Sequence, residues 1–209
     1  MNHSEVPQIL FRNYTARLLT VLSQANWENL SQLAFDLHEC WESNRQVFLC
    51  GNGGSAANAI HLANDYLYGI ANHGNKGMRV HALTANPAVL TCLANDIGYE
   101  QVFSEQLAVQ AQPGDLLIVL SGSGNSPNIQ AVLKQAKKME VKSYAVLGFS
   151  GGACRALADV PIHFPIDDMQ ISEDLQMIIG HMLMQWLHHN QPCPEIQNGA
   201  PCEETISYR

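Results

Sequence analysis

Basic residues are scarce in this chain and nowhere clustered. Eleven lysines and arginines stand against 19 aspartates and glutamates, for a formal net charge of −8. With no basic patch to displace counterions from a phosphate backbone, direct nucleic-acid binding is not expected. Long apolar runs are missing too: nothing approaches the roughly 18 residues of a membrane span, so no membrane partner is expected. Met1-Asn2-His3-Ser4-Glu5 lacks the basic and apolar segments of a signal peptide, which predicts a cytoplasmic protein. The six cysteines, Cys40, Cys50, Cys92, Cys154, Cys193 and Cys202, form no CxxC pair, and a chain of 209 residues needs no disulfide staples. Free thiols are expected, and Cys193 and Cys202 have no zinc-ligand spacing around them. The Walker pattern GxxxxGK[ST] is absent, which removes the usual nucleotide site. Charged residues are also few, at 14% against 46% hydrophobic, a balance that excludes disorder and leaves apolar surface for subunit contacts.

What is present is an alternation of short apolar runs with helical segments. The predicted strands are Gln46–Cys50, Arg79–Leu83, Asp115–Leu120, Lys142–Leu147 and Val160–Phe164. The predicted helices between them are Ser55–Tyr68, Pro87–Ala94, Tyr99–Val109, Pro127–Met139 and a short one after Gly152, with a last helix from about Ile171 to His189. This pattern predicts an α/β fold in three layers, a parallel sheet covered by helices on both faces. Two further helices precede the first strand, from about Glu5 to Leu22 and from Trp27 or Glu28 to Glu42, free to cover the sheet or another subunit. One domain is expected over residues 1–190, including N-terminal helices within 5–44. A polar, irregular tail is expected over 191–209.

Two turns carry the chemistry. Val47-Phe48-Leu49-Cys50 runs into Gly51-Asn52-Gly53-Gly54-Ser55 and then a helix start, and such a turn aims backbone N–H groups at an anion. The run Leu116 to Leu120 ends in Ser121-Gly122-Ser123-Gly124-Asn125-Ser126-Pro127, a second cradle built from hydroxyls and glycines, or else an ordinary turn with Ser126 as helix cap. Gly51 to Ala56 also fits the loose dinucleotide pattern GxGxxA. The acidic residue that pattern needs at the end of the next strand is missing from Val80-His81-Ala82-Leu83, so a nicotinamide cofactor is disfavoured. Beyond the first cradle, His61 and Asp65 lie four residues apart on one helix face. On the last helix Glu173 and His181 are about 80° apart around the axis, so both can border one cleft. His61, Asp65, Glu173 and His181 make a nitrogen and oxygen set acceptable to zinc or another divalent ion. Cys50 reads as a small buried residue rather than a nucleophile.

Taken together, CGNGGSAANAIHLAND (50–65), LTCLANDIGYEQVFSEQL (90–107), PGDLLIVLSGSGNSPNI (113–129) and IIGHML (178–183) resemble the sugar isomerase (SIS) domain family, and within it the phosphoheptose isomerases. The resemblance implies a five-stranded parallel sheet of flavodoxin-like order and a homotetramer with active sites between subunits. It places a phosphorylated sugar on Ser55, Ser121, Ser123 and Ser126, with Asn52 and Asp96 near the sugar and Gly53, Gly122 and Glu173 in the same site. It makes His61, Asp65, Glu173 and His181 counterparts of zinc ligands, with Asp65 as base and His181 as acid. Several positions depart from the family pattern. Asp65 replaces a glutamate, Glu173 a glutamine, Gln176 a common histidine and Gly122 a threonine, and an arginine near Gly69 is absent. The implied activity is aldose–ketose isomerisation of sedoheptulose 7-phosphate. The competing expectations are a noncatalytic phosphosugar sensor, like the relative that binds the bacterial replication initiator, or an enzyme for another phosphosugar.

Overall fold

The structure, a computed structural model, describes residues 6–71 and 76–192. Residues 193–209 of the expected tail, with Cys193 and Cys202, and Glu5 at the expected start of the N-terminal helix lie outside the described residues. Helices α1 (Val6–Ser23) and α2 (Glu28–Glu42) precede β1 (Gln46–Gly51). Then follow α3 (Gly54–Asn64), β2 (Arg79–Ala82), α4 (Pro87–Asp96), α5 (Ser104–Gln110), β3 (Leu116–Ser121), α6 (Pro127–Lys138), β4 (Lys142–Leu147), α7 (Cys154–Leu157), β5 (Val160–His163) and α8 (Met169–His189). The strands pair in parallel in the order β2-β1-β3-β4-β5. This is the three-layer architecture expected from the alternation of runs.

Burial explains why the strands read as continuous apolar runs: all six residues of β3 are buried, because helices cover both faces. Successive side chains alternate between the layers. Val47, Leu49, Leu116, Ile118 and Leu120 join α2, α3 and α8 in one core. Phe48, Cys50, Leu117 and Val119 join α5, α6 and Cys154 of α7 in the other. Burial pushes the Cys50 thiol far above its ordinary range and that of Cys154 up to about 11, so both remain thiols packed as small apolar groups.

Two local expectations are corrected. The helix expected over Ser55–Tyr68 leaves α geometry at Asp65, and residues Asp65–Gly69 form a π-helical turn in which the Ile70 N–H bonds to the Asp65 carbonyl. The helix expected over Tyr99–Val109 is divided into a 3-10 turn, Tyr99–Gln101, and α5. In α1, Ile9, Leu10 and Leu19 are exposed, whereas Val21 is buried and Tyr14, Leu18 and Leu22 pack against the core. The helix is also held by polar ties to α8: Arg17 pairs with Asp168 at 2.8 Å and the Tyr14 hydroxyl donates to Asp174. Burial and the Asp174 carboxylate push Tyr14 up to about 12. Asp168 in turn caps α8 through the Ile171 N–H, a bond that lowers its carboxyl below the usual range, with Arg17 assisting.

The strand order reverses between β1 and β3, whose ends lie level, Gly51 opposite Leu120. The turns that follow therefore open side by side at the carboxyl edge of the sheet, where ligands bind in open α/β folds. Below them α3 and α8 cross closely: a methyl group added at Gly180 would stand 2.3 Å from Leu62 Cδ2. Gly180→Ala is expected to lower the unfolding free energy by about 1–3 kcal/mol. In denaturant titrations, Gly180→Ala with Leu62→Ala should cost less than the two single changes added together.

Candidate active site

The first turn needs glycine at position 53, where φ is +56° and ψ is −122°, outside the range open to ordinary side chains. No side chain caps α3 there, so the helix start keeps its first N–H groups for a ligand. In the second turn Gly124 has φ of +65°, and a β-carbon on it would stand 2.0 Å from the Gly151 carbonyl oxygen, so the chain after β4 braces this loop from behind. Ser126 occupies the N-cap position of α6 but makes no side-chain capping bond, which removes the ordinary reason for a serine there.

The other hydroxyls share one property. Ser55 accepts from Gln176 Nε2 at 3.0 Å, Ser121 from the Gly124 N–H at 3.1 Å, and Ser123 from the Asn125 N–H at 3.3 Å. A hydroxyl that accepts from the protein keeps its own proton to donate. Elsewhere in the molecule serines use that proton internally: Ser143 donates to Asp159 and Ser172 to the Asp168 carbonyl. The serines at the turns are thus arranged as donors, which suits a phosphate oxygen and needs no lysine or arginine.

Beyond the first turn His61, Asp65 and His181 converge. The two Nε2 atoms lie 3.2 Å apart, and each lies 3.4 Å from Asp65 Oδ2. Around a tetrahedral ion with bonds of about 2.0–2.1 Å, neighbouring ligand atoms stand about 3.3–3.4 Å apart. The three side chains therefore have the separations and the donor chemistry to hold a divalent ion. Asp65 is mostly buried, whereas both imidazoles are about half exposed, so the trio faces outward from the junction of α3 and α8.

Against known proteins, the SIS domain matches residues 10–148. The chain belongs to the SIS domain family. It is 35% identical over 174 residues to the phosphoheptose isomerase of Chlorobaculum parvum, covering 82% of this chain and 83% of that one. The solved phosphoheptose isomerase of Francisella tularensis superimposes with a TM-score of 0.81 at 26% identity, over 90% of this chain and 99% of that one. The phosphoheptose isomerase of Neisseria gonorrhoeae gives a TM-score of 0.79 at 27% identity, over 86% and 97%.

Not every residue grouped with the metal ligands by the sequence joins the trio. Glu173 stands outside the metal-competent trio: its carboxylate lies over Gly54 at the start of α3, where a β-carbon would meet Oε2 at 2.4 Å. The spacing of eight residues from His181 carries it two turns away along α8, which is why one helix face did not mean one ligand cluster. Asp96 ends α4 and is engaged locally, accepting from Asn95 Nδ2 at 2.8 Å and from the Cys92 thiol at 3.4 Å, a bond that raises the Cys92 pKa. Gly122, where the family pattern has threonine, is filled from across the cleft: a β-carbon would stand 2.5 Å from Met169 Sδ. Gln176, at the position of the common histidine, ties the site together by donating to Ser55 while accepting from Asn58 Nδ2 at 3.0 Å.

Sequence reasoning missed Asn128 and Tyr99. Both contact Asn52, and each is a polar residue of a type that turns and helix starts carry routinely, so no local pattern distinguishes them. On titration with zinc the protein is expected to bind one ion per chain. His61→Ala or His181→Ala should weaken that binding by more than the ~10–100-fold typical of losing an outer-shell partner, read by calorimetry on the folded variants.

Proposed function

We propose that this SIS protein is an aldose–ketose isomerase that interconverts sedoheptulose 7-phosphate and glycero-manno-heptose 7-phosphate through an enediol. The observation that carries the reading is the convergence of His61, Asp65 and His181 beside two hydroxyl-donor turns. The chain is also 35% identical to a phosphoheptose isomerase over most of both lengths. That convergence counts against the noncatalytic reading, which has no use for an acid, a base and an ion site held together.

The phosphate binds where Ser55, Ser121, Ser123 and Ser126 donate and the α3 N-terminus points its dipole. Asn52, Gly53 and Gly122 line the same turns. This anchoring holds the remote end of the sugar, so the reacting carbons meet the catalytic groups without further loss of freedom. Isomerisation needs a base to move a proton between adjacent carbons and an acid to protonate oxygen. Asp65 Oδ2 is the oxygen turned to the imidazoles, and among the described residues Oδ1 accepts only from Asn64 Nδ2 at 3.4 Å, a long and weak bond. Asp65 Oδ1 takes the proton from the carbon next to the carbonyl and returns it to the neighbouring carbon. His181 delivers a proton to the carbonyl oxygen as it becomes a hydroxyl and takes one back from the neighbouring hydroxyl as that oxygen becomes the new carbonyl. A zinc ion held by His61, Asp65 and His181 would supply charge stabilisation for the developing oxyanion. Glu173 stays close to the phosphate-binding helix start and keeps a substrate-facing role.

The exposed apolar surface fits a homotetramer with sites at subunit boundaries. Ile60, Leu67, Tyr68 and Met182 flank the trio in the chain and are exposed, as are Val6, Ile9, Leu10 and Phe11 of α1. No helix of the described residues is long and apolar enough to cross a membrane.

Asp65→Ala is expected to cut kcat for sedoheptulose 7-phosphate by about 10²–10⁴-fold, while circular dichroism and binding of inorganic phosphate stay near wild type. Asp65→Glu should retain turnover. Near-normal activity of Asp65→Ala in a coupled heptose phosphate assay would refute the assignment of the base.

A further inference from the structure

A side-chain bridge joins the two phosphate-type turns. Asn52 Nδ2 donates to Asn128 Oδ1 at 2.9 Å, and Asn128 Nδ2 donates back to Asn52 Oδ1 at 2.8 Å. The two carboxamides close a ring of two hydrogen bonds between the first turn and the second residue of α6. Tyr99, from the 3-10 turn after α4, donates its hydroxyl to the same Asn52 oxygen at 2.9 Å. Both lone pairs of Asn52 Oδ1 are then occupied, and one N–H of Asn52 Nδ2 has no protein acceptor among the described residues.

This arrangement fixes more than distance. An asparagine amide can rotate by half a turn and exchange its donor for its acceptor. Rotation of Asn52 alone would set N–H against N–H and C=O against C=O across the ring with Asn128, and would turn N–H toward the donating Tyr99 hydroxyl. The bonded orientation holds the oxygen inward, against protein donors, and leaves the remaining N–H for a ligand. In a cleft whose serines also present protons, a carbonyl oxygen facing outward would repel the oxygens of a phosphorylated sugar. Asn128 is 2% exposed whereas Tyr99 is 55% exposed, so the ring is anchored in the core and completed at the surface.

We propose that Asn128 and Tyr99 are positioning residues for Asn52. They hold its amide with an N–H toward the oxygens of a bound sugar phosphate, and they lock the two turns at the spacing that this ligand bridges. Tyr99 thereby couples the α4–α5 connection to ligand binding. The proposal rests on the isomerase reading for the identity of the ligand but has its own readout, because inorganic phosphate probes the cradle without turnover.

The test uses the full chain, with calorimetric titration of inorganic phosphate and steady-state kinetics on the heptose phosphate. Tyr99→Phe removes one hydrogen bond from an exposed side chain. It is expected to raise both the phosphate Kd and KM about three- to tenfold, with kcat changed by less than about twofold, since the bond acts on ground state and transition state alike. In an Asn52→Ala background, Tyr99→Phe should have no further effect, because its action passes through Asn52. Asn128→Ala should behave in the same way, and if that buried change prevents folding, the Tyr99 and Asn52 pair decides the matter alone. Unchanged phosphate affinity in Tyr99→Phe, or an equal loss with Asn52 already removed, would overturn the proposal. A wild-type protein that binds phosphate, responds to Tyr99→Phe as expected and still turns over no heptose phosphate would support the positioning role while refuting the isomerase reading.

Discussion

The parallel pairing of β1 with β3 is the constraint on which the rest of the molecule depends. Because the strand order reverses there and the register sets Gly51 opposite Leu120, two turns distant in the chain leave the sheet as neighbours. The features at the two turns use that adjacency. Serine hydroxyls gather from both turns, a carboxamide ring can close between Asn52 and Asn128, and α3 starts beside the loop that starts α6. In a sheet of another order the same two turns would be separate weak anion sites.

The second constraint is the close crossing of α3 and α8. Gly180 brings the helices to contact distance at Leu62, and the buried Tyr66 hydroxyl donates across the crossing to the Gly180 carbonyl at 3.2 Å. This approach brings His181 to His61 and Asp65. The π-helical turn begins at Asp65, the residue that the proposed acid–base pair shares with the metal-competent trio. Such turns recur at functional positions because the extra residue shifts the side chains around it relative to a regular helix. Gln176, one turn from Glu173 on the same helix, meanwhile fixes the Ser55 hydroxyl. One helix therefore carries both Gln176, which holds Ser55, and His181 of the trio.

The site also shows how a phosphate-type cleft is built in a chain of net charge −8. Cations are replaced by donors that already accept a hydrogen bond from the protein. Gln176, the Gly124 N–H and the Asn125 N–H each occupy a serine lone pair, so the outward-facing chemistry of those serines is the hydroxyl proton. Asn128 and Tyr99 do the same for the oxygen of Asn52.

Much of the fold was legible in the chain, for physical reasons that act locally. Fully buried parallel strands must be continuous apolar runs, so β1, β3 and β4 declared themselves. The leucine stripe of α2 followed from a period that a helix imposes, and glycine–serine turns at strand ends declared an anion cradle. By itself the sequence determined the alternation of layers, the two cradles and the pairing of His61 with Asp65, since each depends on neighbours a few positions apart. Tertiary structure alone decided that His181 joins that pair while Glu173, on the same helix, lies against Gly54, because two helical turns of travel separate them. It also decided that Ile9, Leu10 and Leu19 of α1 stay exposed while Val21 is buried and that Asn128 and Tyr99 meet at Asn52. Contacts between residues 47 and 76 positions apart depend on how strands order themselves in the sheet, and no local pattern of residues encodes that order.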